Sequence, residues 1–247
     1  MFKTDYSEMY NELYSEKPYR EEVDFIIGLT EEFGLEFFNV LDLGCGTGGH
    51  AKIFIEKGKE VTGVERSKEM INNSFSHLKF HIENADILDY RPQLKFDLIV
   101  SLFHVVSYVK SLSDLLKLFR NVSAGLVEDG LFIFDAWYTP AVLSIGPSSR
   151  INTKEKGRFR LERVSYPVNR TEESCVEVNF ETRIFKNEDL VETITESHEM
   201  RHYSIPELKF IASLTDLELV EARELLTNNV PSQETWAVLF TFRKIKR

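Results

Sequence analysis

From Asn39 onward the chain alternates short, almost wholly apolar runs with stretches of helical periodicity, and this alternation narrows its possible folds more than any other feature. The apolar runs are Val40–Leu43, Val61–Val64, Phe80–Ile82, Phe96–Leu102 and Leu131–Phe134. Helical patterns at Ala51–Lys57, Ser67–Ser76 and Leu112–Leu126 separate them. A strand that is apolar along its whole length is covered on both faces, and helices between successive strands are the crossovers of a parallel sheet. The expected core is therefore an α/β domain with a doubly wound, mainly parallel sheet.

Past Asp135 the rhythm changes. Residues 158–203 alternate with period two, most clearly Val176, Val178, Phe180, Thr182 and Ile184 against Cys175, Glu177, Asn179, Glu181 and Arg183, with a turn at Asn187-Glu188-Asp189. This predicts an antiparallel β subdomain inserted into the parallel fold. Ser204, Pro206 and Glu207 then open a helix, and apolar strands near Leu217–Val220 and Trp236–Phe242 close the domain. The organisation expected is a helical amino-terminal lid over 1–33, a nucleotide-binding domain over 34–138 and 204–247, and the antiparallel insert over 139–203.

A length of 247 residues allows one large core with one embellishment. The net charge of −10 opposes a phosphate backbone as partner, which would call for a stripe of Lys and Arg. No apolar run approaches the ~18 residues of a membrane span, and no charged leader with an apolar segment opens the chain. The expectation is a cytoplasmic protein acting on a small molecule, without nucleic-acid or membrane partners and with a homodimer left open. Two cysteines, Cys45 and Cys175, are too few for a disulfide framework or a cysteine-based zinc site.

Chemistry enters at Val40-Leu41-Asp42-Leu43-Gly44-Cys45-Gly46-Thr47-Gly48-Gly49, where a strand hands over to a helix. Glycines there allow a tight turn and a close approach of ligand to backbone. Gly44, Gly46 and Gly49 also satisfy the dinucleotide spacing, so an NAD-dependent oxidoreductase on the same fold stands as an alternative. Asp42 favours a cationic ligand over a pyrophosphate, because S-adenosylmethionine carries a sulfonium and an ammonium and no phosphate. Glu65, about twenty residues after the turn, is placed to accept hydrogen bonds from both ribose hydroxyls of either cofactor.

With Asp86-Ile87 after the third strand and Leu102-Phe103-His104 after the fourth, these pieces resemble the class I S-adenosylmethionine-dependent methyltransferases, whose core is Rossmann-like. The resemblance implies that Gly44, Cys45, Gly46 and Gly48 form the cofactor turn. It implies further that Asp86 meets the adenine amino group with Ile87 on the ring, that Arg66 and Met70 flank the adenine, and that the Leu102 carbonyl meets the cofactor ammonium. A looser likeness, in Tyr10–Tyr14, the Phe103–Tyr108 loop, the Asp135–Leu143 turn and the late insert, is to nucleotide-linked amino-sugar N-methyltransferases. Another small amine or a hydroxyl acceptor is the alternative, and a binding protein without turnover is a third class.

Tyr10, Tyr14 and His104 are the candidates for contact with the acceptor. Methyl transfer displaces an already activated carbon, so positioning and exclusion of water supply much of the rate. A hydroxyl acceptor would in addition need a base, and His104 is the imidazole nearest the expected sulfonium. His198-Glu199-Met200-Arg201-His202 matches the H-E-x-x-H zinc pattern, which requires a helix. On the strand predicted here the histidines would stand roughly 13 Å apart, so no metal site is expected.

Overall fold

A computed structural model describes residues 17–246. Backbone contacts divide it into two compact units, one of residues 17–18 with Gly146–Met200 and one of Tyr19–Ile145 with residues 201–246.

The larger unit is built on a seven-stranded sheet. Its strands are β1 (Asn39–Leu43), β2 (Glu60–Glu65), β3 (Phe80–Asn84), β4 (Phe96–Ser101), β5 (Leu126–Trp137), β10 (Leu217–Glu224) and β11 (Ala237–Lys244). They lie in the order β3-β2-β1-β4-β5-β11-β10. The first five are parallel, while β11 pairs antiparallel with both β5 and β10.

Alternation along each strand splits the core in two. Leu41, Leu43, Ile99, Phe132 and Phe134 join one buried cluster with α4 (Leu112–Gly125) and α6 (Ile205–Ser213). Val40, Leu98, Val100, Leu131 and Ile133 join another with α1 (Tyr19–Glu32) and α2 (Gly49–Glu56). The first cluster is rich in aromatics: Phe134 stacks on Phe242 at 5.7 Å and Phe119 meets Phe242 edge-on at 5.0 Å.

Several boundaries differ from the sequence expectation. The helix read over Ser67–Ser76 is only α3 (Lys68–Asn72), because Ser74 turns its hydroxyl back onto the Ile71 carbonyl. The strand read at Leu131–Phe134 is longer and begins at Leu126, directly after Gly125 ends α4. Among residues 1–33, those numbered 1–16 lie outside the described residues, whereas Tyr19–Glu32 is a helix that buries Val23, Ile26 and Leu29 in the core. A short helix, α5 (Thr139–Ser144), also groups with the larger unit.

The smaller unit is a four-stranded sheet in the order β6 (Arg150–Lys156), β7 (Phe159–Arg170), β8 (Cys175–Lys186), β9 (Asp189–Arg201). It begins one strand earlier than the alternation at 158 suggested. The turn between β8 and β9 uses Asn187 and Glu188, both left-handed at φ 49° and 71°, the pair of positive φ values that a two-residue hairpin turn requires. Leu161, Val176, Val178 and Ile184 are buried. Arg163 lies 4.0 Å over the Phe180 ring and pairs with Glu196.

Candidate functional site

The carboxyl ends of the five parallel strands β1 to β5 carry most of the residues singled out in the sequence. Gly44 and Gly46 are left-handed, at φ 80° and 57°. A Cβ on Gly44 would stand 2.5 Å from Cγ1 of Val105, so the 3-10 turn Val105–Tyr108 after β4 lies directly on the glycine turn. A Cβ on Gly46 would meet only open space. Its backbone therefore faces a region free for ligand, as a cofactor cradle requires. Gly48 caps α2, and Cys45 is buried beneath the turn, where burial and the nearby Asp42 push its thiol well above the usual range. Asp42 itself is buried on β1.

Glu65 ties the turn to the end of β2. Its Oε2 accepts from the Gly46 amide at 3.1 Å and its Oε1 from the Ser67 amide at 2.7 Å. A carboxylate has about four acceptor positions, so two remain for a ligand's hydroxyls. The Asn84 side chain donates to the carbonyls of Glu65 and Arg66 and fixes the chain as it leaves β2, a role no pattern in the sequence signalled. Asp86 accepts from the Leu88 amide at 2.9 Å and stands 3.7 Å from the Arg66 guanidinium. Ile87 packs against the aromatic cluster, Met70 lies in α3, and Leu102 is buried at the end of β4.

After β4, Phe103 and His104 are both left-handed, at φ 68° and 59°. The His104 amide donates to both oxygens of Asp135 at 3.2 Å, and its ring Nδ1 lies 2.7 Å from Oδ2 of the same carboxylate. Trp137 meets the His104 ring edge-on at 6.1 Å and packs on Trp236 at 5.4 Å. In sequence His104 follows the fourth apolar run and Asp135 the fifth, with nothing to pair them; in the structure Asp135 lies within β5. Tyr10 and Tyr14 lie outside the described residues.

His198 lies in β9 and contacts the Phe180 ring, while His202 follows that strand, buried, with Nδ1 2.9 Å from the Thr139 hydroxyl. The helix that an H-E-x-x-H site demands is not formed by these residues.

A parallel sheet in this order with an antiparallel edge pair, a glycine turn after the first strand and an acid closing the second match the class I S-adenosylmethionine-dependent methyltransferase fold. Residues 40–130 match the methyltransferase domain family. Among curated proteins the chain is similar to the dTDP-3-amino-3,4,6-trideoxy-α-D-glucopyranose N,N-dimethyltransferase of Streptomyces venezuelae. The two are 27% identical over 183 residues, 73% of this chain and 77% of the relative. In fold it resembles an S-adenosylmethionine-dependent methyltransferase of Clostridium acetobutylicum, with TM-score 0.80 and 21% identity over 98% and 99% of the two chains. It also resembles a sugar N-methyltransferase of Streptoalloteichus, with TM-score 0.82 and 16% identity over 98% and 93%. The chain is thus a methyltransferase, and its cofactor is S-adenosylmethionine.

Proposed function

We propose that this methyltransferase acts on the amino nitrogen of a nucleotide-linked amino sugar. The observation that carries the reading is the likeness to the Streptomyces venezuelae enzyme, which runs over 183 residues and so extends well beyond the cofactor-binding stretch 40–130. In this reading the Glu65 carboxylate takes the ribose hydroxyls. Asp86 and Ile87 meet the adenine, with Arg66 and Met70 on its flanks. Asp42 and the Leu102 carbonyl attract the methionine end, Gly44, Cys45, Gly46 and Gly48 provide the close backbone, and Tyr10 and Tyr14 contact the acceptor. The protein acts in the cytoplasm on a small soluble substrate, without nucleic acid or membrane; among the described residues no helix is long and apolar enough to cross one.

In sequence the nearest basic cluster for a substrate diphosphate is Arg150, Lys154, Lys156, Arg158 and Arg160. Arg160 is committed within its own sheet, stacked 4.0 Å over Phe185 and paired with Glu162 and Glu188. Arg158, at the Gly157 turn, is the better candidate. The test is incubation with S-adenosylmethionine and a panel of nucleotide-linked amino sugars, free amino sugars and small amines, reading product masses. A one-methyl gain on a nucleotide-linked amino sugar, with KM raised in Arg158→Glu, supports the reading. Methylation of a free amine such as glycine, with every nucleotide sugar ignored, overturns it.

A further inference from the structure

We propose that His104 accepts the proton of the incoming amine and that Asp135 is its positioning residue, holding Nδ1–H and leaving Nε2 to the acceptor. The proposal rests on an amine acceptor, as above, but on no particular sugar.

Three contacts join one carboxylate to one residue: both Asp135 oxygens accept from the His104 amide, and Oδ2 approaches ring Nδ1 at 2.7 Å. The ring approach is close but not linear, so a small rotation of the imidazole completes the hydrogen bond, as commonly happens when a site fills. Two successive non-glycine residues, Phe103 and His104, are held left-handed here. Such backbone persists only where its surroundings over-determine it, and it clusters at sites of chemistry. The described contacts of the His104 ring are Asp135, Phe103 and Trp137, so the Asp135 carboxylate is the charged group that faces it.

The Asp135 side chain is 4% exposed and that of His104 21%. Nδ1 is buried against Asp135, so the ring nitrogen left for an acceptor is Nε2. A buried carboxylate behind an imidazole fixes its tautomer and stabilises the imidazolium formed when it takes up a proton. Val105 packs on Gly44 and brings this turn against the cofactor loop.

An aliphatic amine is mostly protonated at neutral pH, as an amino terminus is, and an ammonium has no lone pair to offer. The R–NH3+ proton passes to Nε2, and the freed lone pair forms the N–C bond to the sulfonium methyl. The C–S bond breaks with its electron pair going to sulfur. The products are neutral S-adenosylhomocysteine, R–NH2+–CH3 and an imidazolium that returns its proton to solvent.

The test uses the full-length enzyme with S-adenosylhomocysteine bound and its histidine rings labelled with 15N, with His104 assigned from the spectrum of His104→Gln. Wild-type His104 is expected as the Nδ1–H tautomer, and Asp135→Asn should move the ring towards the Nε2–H tautomer. With whichever amine is turned over, kcat should fall in Asp135→Asn as the Nδ1–H tautomer is lost, and the acid limb of kcat should disappear in His104→Gln. An Nε2–H tautomer in the wild type overturns the proposal even if Asp135→Asn does not fold. So does an acid limb unchanged in His104→Gln. If a free amine proves to be the substrate, the acceptor reading fails while these measurements still decide the role of His104.

Discussion

Glu65 closes its carboxylate on the Gly46 amide at 3.1 Å while accepting from Ser67 with its other oxygen, so one side chain braces both backbone segments of the cofactor cradle. Glu65→Ala therefore removes a ligand for the ribose and loosens the cradle as well. Hydrogen bonds to a charged group contribute about 1.5–3 kcal/mol, so the dissociation constant for S-adenosylhomocysteine should rise about tenfold or more. Calorimetry showing unchanged affinity would remove Glu65 from the cofactor site.

Gly44→Ala should destabilise the fold. The new methyl would stand 2.5 Å from Val105 Cγ1, and φ of 80° is costly for any residue with a Cβ. Together these should cost about 1–3 kcal/mol, read from urea denaturation. Val105→Ala in the same chain should recover the steric part and leave the backbone part. Purely additive losses in the double variant would show that the two residues do not press on each other.

Tyr203 is fully buried and its hydroxyl donates to the carbonyls of Val106 and Val109, both at 3.0 Å, anchoring the turn that follows His104. Tyr203→Phe leaves the ring packing in place and removes only that anchor. A loss of about 1–3 kcal/mol is expected, with a larger fall in kcat than in cofactor affinity. Equal losses in both would place the effect on the whole fold.

Acid should weaken the protein through His202. Burial, and then the neighbouring Arg201, lower its pKa below the ordinary 6.5. With the folded value depressed, the unfolded chain binds the proton more readily. The contribution is complete above 6.5 and is lost as pH falls from there towards and through the lower folded value. Urea midpoints should therefore drop between about pH 7.5 and pH 5, and His202→Gln should flatten that part of the curve. A slope identical in both proteins would assign the acid sensitivity elsewhere.

Chelators should leave methyl transfer unchanged, since His198 and His202 do not form the helical pair that a zinc site of this pattern requires. Elemental analysis finding one zinc per chain, lost with activity in His198→Ala, would reverse this conclusion.

The amino-acid sequence by itself determined the parallel sheet, the glycine turn and the acid at the end of the second strand. Each is written in local terms: apolar runs long enough for a buried strand, glycines where the backbone turns left-handed, and a fixed spacing between Gly44 and Glu65. Ser204 as the cap of α6 is equally local, with its hydroxyl accepting from Glu207 three residues on.

Tertiary structure alone decided which side chains meet. Asp135 reaches His104 because β5 lies beside β4, with Ser101 opposite Phe134, an adjacency no residue pattern announces. Glu22 reaches His50 at 2.5 Å because α1 and α2 pack on one face of the sheet, and Val105 reaches Gly44 because β1 and β4 are neighbours. A strand's periodicity reports which face is buried and leaves its neighbour unspecified. Pairings between residues some thirty to sixty positions apart are set by strand order, and strand order follows from the packing of the whole chain.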